Sequence, residues 1–213
     1  MRFTSHGYEY QIDGYGAIHQ LNPQPYVYDQ TYVSTYDTED YKRQSDILQA
    51  LRLGFAIGAH GRKPQSLLDF GYGNGAFMKF AKQHIETVLG YDVSGVQVQG
   101  CKIVDKLEKA DVITFWDALE HVQDLLFVEY LPCQTVVISL PYCHFPTNKD
   151  LSWFDDEYKH RKPNEHVHHF NPVSLKLTMQ RFGWSQVATS THEDIIRKST
   201  HGLDNILTMA FKR

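Results

Sequence analysis

The chain has 213 residues, 42% of them hydrophobic, which is enough for one domain with a sizeable core and too few for two full domains. Its 21 Lys and Arg face 25 Asp and Glu, a formal charge of −4, which excludes the basic surplus of a dedicated nucleic-acid binder. No apolar run approaches the ~20 residues of a membrane span, the opening Met-Arg-Phe-Thr-Ser-His is no secretory signal, and three scattered cysteines exclude a disulfide framework; a soluble, cytoplasmic chain is expected.

Residues 1–36 hold no sustained period, and with Asn22-Pro23-Gln24-Pro25 as the strongest breaker they read as an irregular arm. From Thr38 the pattern turns helical, with Tyr41, Leu48, Leu51 and Phe55 on one face and Gly58 and Gly61 as the stop. Residues 1–61 are therefore assigned to an N-terminal arm and helix, and 62–213 to the main domain.

Beyond Pro64, strand, turn and helix alternate. Ser66–Phe70 reads as a first strand, Gly71–Gly75 as a tight turn and Ala76–His84 as a helix. Thr87–Asp92, Cys101–Val104, Asp111–Trp116 and Thr135–Leu140 are the next four strands, with a helix expected over Ala118–Tyr130. Residues 141–169 form a long polar and aromatic stretch with no convincing element, the kind of loop that usually carries function. Asn171-Pro172 caps and opens a helix that stops at Gly183, and Trp184–Ser190 and Ile206–Lys212 are the last strands. Strands alternating with helices imply a mostly parallel sheet covered on both faces.

The turn Asp69-Phe70-Gly71-Tyr72-Gly73-Asn74-Gly75 follows a strand and opens a helix, so its backbone N–H groups can meet a ligand without obstruction by Cβ atoms. Asp92 ends the next strand, where a carboxylate can accept both hydroxyls of a ribose. Together they outline a nucleoside-cofactor site. Gly71, Gly73, Ala76 and Asp92 fit a dinucleotide fingerprint, which keeps an NAD-dependent oxidoreductase as an alternative. Asp69 and Gly75 are not asked for by that fingerprint, and an acid before the turn suits a ligand with an amino group.

Three segments in order carry a resemblance. "SLLDFGYGNGAFMKFAKQHIETVLGYDVS" resembles the first two strands of class I S-adenosylmethionine-dependent methyltransferases, and "DVITFWDALEHVQD" is similar to their fourth strand with its Leu-Glu-His. "EHVHHFNPVSLKLTMQRFGW" resembles the loop and helix that small-molecule members carry after the fifth strand. The resemblance implies a Rossmann-like, seven-stranded, mostly parallel α/β sheet with the last strand antiparallel. It implies S-adenosylmethionine as cofactor, S-adenosylhomocysteine as product, and a small-molecule acceptor methylated on oxygen, carbon or nitrogen, with neither nucleic acid nor membrane as partner and a monomer or homodimer as the working form.

By position, Gly71, Gly73 and Gly75 would cradle the methionine portion with Tyr72 between them, and Asp69 would lie near its amino group. Asp92, followed by Val93, would hold the ribose, while Trp116 and Asp117 would border the adenine or sulfonium. Tyr32 and Tyr36 would form a lid. Only Val93–Gly100 separate the second strand from the third, so the crossover is shortened. "EHVHHF" resembles the Glu-His pair of sugar C-methyltransferases, with Asn164 where that family has a third His. Glu165 and His166, with His121 as a second base, are the candidates for moving the acceptor proton. Asp117 and Glu120 have the spacing of a capping box. His160, His166, His168 and His169 lie close enough in sequence to consider a metal, but without cysteine partners none is assigned. Trp153, Phe154 and Tyr158 either stack on substrate or anchor the loop. A non-catalytic chain that keeps the fold as an interaction surface is the remaining alternative.

Overall fold

A computed structural model describes residues 1–34, 39–198 and 202–213, with residues 39–45 described by their backbone alone. Tyr36 of the expected lid and the Tyr41 side chain therefore lie outside the described residues.

The first twenty residues are not an irregular arm. They form a meander of three antiparallel strands, β1 (Arg2–Ser5), β2 (Tyr8–Ile12) and β3 (Ile18–Gln20). His6 and Gly7 both have positive φ, 46° and 86°, the geometry of a two-residue turn whose twist matches the strands it joins. Asp13 makes the second turn, its carboxylate accepting the Tyr15 and Ala17 N–H groups at 2.8 and 2.9 Å. A short helix α1 (Gln30–Ser34) and the long α2 (Glu39–His60) follow. The buried stripe of α2 runs through Leu48, Gln49, Arg52, Leu53, Ala56 and His60, with Leu51 and Phe55 at its margin. Three of those six are polar, and His60 for one finds a partner in Thr135 Oγ1 at 2.8 Å.

The main sheet contains β4 (Ser66–Phe70), followed by α3 (Ala76–Ala81), then β5 (Thr87–Tyr91), β6 (Lys102–Ile103), β7 (Val112–Trp116) and β8 (Thr135–Pro141). After helix α4 (Leu151–Asp156), strand β9 (His168–His169) and helix α5 (Pro172–Arg181), it is completed by β10 (Ser185–Ser190) and β11 (Ile206–Lys212). The strand order is β10-β11-β8-β7-β4-β5-β6, with β11 antiparallel to both neighbours and the other pairs parallel. β4 has β5 on one side and β7 on the other, so the strand order reverses there and opens a crevice beyond the strand ends.

Alternate strand residues serve opposite layers. Leu68, Ile113, Phe115, Ile138 and Met209 face α5 through Leu175 and Met179, while Leu67, Val112, Val137 and Ala210 face α2 and α3 through Leu53, Ala56, Phe77 and Met78. Asn171 caps α5 as expected, its side chain accepting from Ser174 N at 2.9 Å while Ser174 Oγ accepts from Asn171 N at 3.0 Å.

Two further expectations are corrected. The helix over Ala118–Tyr130 is two 3-10 turns, Leu119–His121 and Leu125–Tyr130, because Val122 is extended and the Glu120 carbonyl accepts the Val167 N–H instead of continuing a helix. The stretch 141–169 contains α4 and ends at β9, which pairs with β3 and makes the meander four-stranded. Tyr10, Ile18, Cys143, Phe145, Trp153, Phe154 and Tyr158 form a separate apolar cluster beneath this second sheet. Trp153, Phe154 and Tyr158 are thus buried anchors of the loop rather than exposed stacking platforms.

Candidate active site

A cavity of about 1200 Å³ lies at the strand-order reversal. It exceeds the ~300–1,000 Å³ usual for one ligand and so has room for two. Its walls come from the glycine turn, the ends of β5 and β7, the face of α2, the chain before α1 and the loop ahead of β9.

The three turn glycines do different work. All have positive φ, but a Cβ on Gly71 would meet Ala118 Cβ at 2.7 Å and one on Gly75 would meet Val98 at 2.5 Å, so protein packing accounts for both. Gly73, at φ +53°, has no atom within 4 Å of that position and lies on the cavity wall. Gly75 is not part of the wall. The Tyr72 ring fits against Gly90, where a Cβ would approach Tyr72 Cδ1 at 2.7 Å, and its hydroxyl donates to the Val96 carbonyl at 2.7 Å. Burial first, and then Asp92, push that hydroxyl up to about 12. The bulky residue in the turn thereby holds the shortened crossover, in which no helix forms and the third strand shrinks to the two residues of β6.

Asp92 lies on the wall with its carboxylate aimed at the turn: Oδ2 accepts from Gly73 N at 2.9 Å and Oδ1 from Ser94 N at 2.8 Å. Each oxygen keeps a lone pair for a ligand. Val93 beside it is 72% exposed. Asp69 sits at the cavity floor, almost wholly buried, and accepts the Thr114 hydroxyl at 2.8 Å; burial raises its carboxyl to about 7 despite that bond and the nearby Arg52. Trp116 closes the far side. Its buried Nε1 has no hydrogen-bond partner among the described residues, and Arg52 lies 5.0 Å from its ring.

Asp117 is engaged differently from a ligand-facing carboxylate. It has φ +52°, and its oxygens accept from Arg52 Nη2 at 3.0 Å and Arg197 Nη1 at 2.8 Å. Glu193, completely buried, takes the other donors: Arg52 Nε and Nη2 at 3.1 and 2.8 Å, Arg197 Nη1 at 3.1 Å and Ser139 Oγ at 2.7 Å. Although burial opposes ionisation, Arg197 and Arg52 hold Asp117 down at about 2. This four-membered network ties α2 to the end of β7 and to the connection between β10 and β11. Sequence reasoning missed Arg52, Glu193 and Arg197, since nothing local marks a partnership across 141 residues.

No capping box joins Asp117 and Glu120, because the first 3-10 turn has no side-chain cap. Glu120 turns inward instead, 1% exposed, with both carboxylate oxygens lacking a hydrogen-bond partner among the described residues. It stands beside His121 and His166, whose rings meet edge to face at 4.7 Å. His121 Nδ1 is 2.9 Å from the Glu165 carbonyl and 3.0 Å from the Tyr28 hydroxyl, and His166 Nδ1 is 2.8 Å from the His160 carbonyl. Burial lowers the pKa of both imidazoles and raises that of Glu120.

Glu165 lies just behind the wall. Its Oε1 accepts from Tyr32 Oη at 3.2 Å and Lys162 Nζ at 3.1 Å, and is 3.8 Å from His166 Nε2. Glu165, His166 and His121 are therefore brought together. Tyr32 joins Tyr26 and Tyr28 in a ring cluster over the cavity, with centroids 5.1–5.9 Å apart. Tyr28 went unnoticed in the sequence although it precedes Tyr32 by the same four residues that separate Tyr32 from Tyr36. His168 and His169 lie apart on β9, where His168 Nδ1 meets His19 Nδ1 at 2.8 Å; the four loop histidines do not converge on one point.

A glycine turn at the sheet's switch point, a carboxylate just past the next strand and a cavity with a second polar end describe an α/β domain with space for two small ligands side by side. Residues 40–189 match a family described as "Methyltransferase domain", and the chain belongs to that family. No curated protein matches it.

Solved structures resemble the fold at low identity. An S-adenosylmethionine-dependent methyltransferase from Archaeoglobus fulgidus aligns with a TM-score of 0.58 at 16% identity, covering 87% of this chain and 100% of that one. The Burkholderia thailandensis 1,6-didemethyltoxoflavin-N1-methyltransferase, solved with its acceptor and S-adenosylhomocysteine, gives 0.56 at 14% identity over 95% and 97% of the two chains. The magnesium protoporphyrin IX methyltransferase from Synechocystis, with bound S-adenosylhomocysteine, gives 0.55 at 14% over 87% and 100%.

Proposed function

We propose that the chain transfers a methyl group from S-adenosylmethionine to an oxygen, carbon or nitrogen atom of a small molecule, releasing S-adenosylhomocysteine, and that it does so in the cytoplasm. Membership of a methyltransferase family takes the place of the NAD-dependent alternative. Among the described residues no helix is long and apolar enough to cross a membrane.

The site fits this cofactor on two counts independent of the family. Gly73 leaves the wall open where any side chain would intrude, and Trp116 presents on the same cavity a buried indole N–H with no partner among the described residues. In this reading Gly71 and Gly73 border the methionine portion, Asp69 meets its amino group and Asp92 its ribose. Val93 and Trp116 flank the adenosine. Gly75 serves by keeping the turn closed on Val98, and Asp117 serves through Arg52 and Arg197. Tyr32, with Tyr28, roofs the cavity, while residues 1–61 form the cover of the domain at 62–213. When bound, the cofactor supplies the methyl group as an electrophile. The chain's own work is to hold the acceptor in line, exclude water and take its proton, the last falling to Glu165, His166 and His121.

The observation that carries the proposal is the Asp92 carboxylate, which is locked to Gly73 and yet lies on the cavity wall. A thermal-shift series with S-adenosylmethionine, S-adenosylhomocysteine and NAD tests it. Stabilisation by the first two is expected and should vanish in Asp92→Ala; a shift with NAD alone would refute the proposal.

A further inference from the structure

We infer that Glu120, His121 and His166 form a binding site for one divalent transition-metal ion at the acceptor end of the cavity. Among the described residues they are the one trio of His, Cys, Asp or Glu whose ligand atoms all lie within 4.8 Å of one another, and all three line the cavity. Two independent features distinguish this trio from a chance cluster.

The first is Glu120. A carboxylate that is 1% exposed normally finds donors, because an unmet buried acceptor is costly, yet neither of its oxygens has one among the described residues. His121 Nε2 lies 4.0 Å from Glu120 Oε1. A cation is the missing partner.

The second is the setting of the two imidazoles. Both place Nδ1 against a backbone carbonyl, Glu165 O at 2.9 Å and His160 O at 2.8 Å. A carbonyl can only accept; with the Tyr28 hydroxyl, 3.0 Å from His121 Nδ1, itself donating to the Glu165 carbonyl at 3.3 Å, each Nδ1 is assigned the proton and each Nε2 keeps its lone pair. That outer contact is how metal-ligating histidines are oriented and kept in the right tautomer. Other buried histidines, among them His60, His168 and His169, also keep a ring nitrogen without a hydrogen-bond partner among the described residues, but none of them stands in a trio with a buried carboxylate.

Two imidazole nitrogens and one carboxylate select zinc, iron, manganese or cobalt over magnesium and calcium, which prefer oxygen donors. The three ligand atoms need to draw in by roughly 1 Å to reach bonds of ~2.1 Å. Three protein ligands leave coordination positions open towards the cavity, where an acceptor would bind through oxygen. This role rests on the methyl-transfer reading. It also divides the labour at the site, since the two histidines become ligands and Glu165, held by Tyr32 and Lys162, receives the acceptor's hydroxyl proton.

The test uses the untagged full chain stripped with a chelator and titrated with Co2+, followed by visible absorption, with Zn2+ as competitor. One equivalent of Co2+ giving visible d–d bands that Zn2+ bleaches is expected. Glu120→Gln, His121→Gln and His166→Gln should each weaken binding by at least ~10-fold, while His84→Gln, on the surface beyond α3, leaves it unchanged. Absence of the bands, or their survival in Glu120→Gln and His166→Gln shown folded by circular dichroism, would overturn the site. A thermal shift with S-adenosylhomocysteine on the same samples separates the two ideas: its loss in the unaltered chain refutes methyl transfer, while the cobalt spectrum still decides the ion.

Discussion

The Tyr72 hydroxyl donates to the Val96 carbonyl at 2.7 Å, so an aromatic residue of the glycine turn is the clamp on the short segment between β5 and β6. Tyr72→Phe removes one partly buried hydrogen bond and should cost about 1 kcal/mol of stability. Because Asp92 and Ser94 lie on the same segment, S-adenosylhomocysteine affinity should fall with it. Urea unfolding and calorimetric titration measure the two effects. Hydrogen exchange should rise at residues 94–98, and unchanged exchange there would argue against the clamp.

Gly73 and Gly75 should separate binding from folding. Gly73→Ala keeps clear of protein atoms and bears only the cost of a left-handed residue, about 1 kcal/mol, but puts a methyl group into the cavity. It should fold and lose cofactor affinity. Gly75→Ala drives a Cβ to 2.5 Å from Val98 and should lose stability by roughly 2–3 kcal/mol, as overpacked sites do. Thermal unfolding with and without S-adenosylhomocysteine distinguishes the patterns.

Asp69 should make cofactor binding depend on pH. Burial raises its carboxyl to about 7, and the ionised form is the one that attracts a cationic amino group. Affinity should therefore rise as pH increases through 7, by up to about tenfold per unit below it, and level off above. In the free chain the linkage runs the other way: the unfolded carboxyl ionises near ~4, so its contribution to stability is full below that and is lost as pH rises to about 7. Asp69→Asn should flatten both profiles. Titrations of affinity between about pH 6 and pH 8, and of stability between about pH 4 and pH 8, cover the two windows.

Glu193 should be the most sensitive position of the ionic network. Arg52→Met leaves a fully buried carboxylate with Arg197 as its remaining cation and should cost roughly 3–5 kcal/mol. Arg52→Met with Glu193→Leu should cost clearly less than the sum of the single changes, since the second removes the stranded charge. A denaturation cycle on the four proteins gives the coupling; strict additivity would contradict the network.

The sheet was legible because its strands are apolar runs between turn residues: β11 falls on the expected Ile206–Lys212, and β4 on Ser66–Phe70. That Gly71, Gly73, Asp92 and Trp116 share one cavity wall was legible for the same reason, since they lie at or just past strand ends. The meander was not: Tyr8-Glu9-Tyr10-Gln11-Ile12 does alternate, but the three strands are only four, five and three residues long and the first turn uses His-Gly rather than Asn-Gly. Glu120 was hidden by a spacing that also suits a helix cap. Arg52 was hidden because a buried arginine is credible only once Glu193, far along the chain, is known to face it.

The pairing of β3 with β9 joins His19 to His168, 149 residues later. At ~5–20 residues per second on the ribosome, the meander waits roughly seven to thirty seconds before its closing strand is made. Throughout that interval β3 presents an open edge, the feature through which nascent chains associate with one another. Yield of native protein should therefore respond to translation speed and to chaperones that shield strand edges, even though the finished domain contains no such edge at β3.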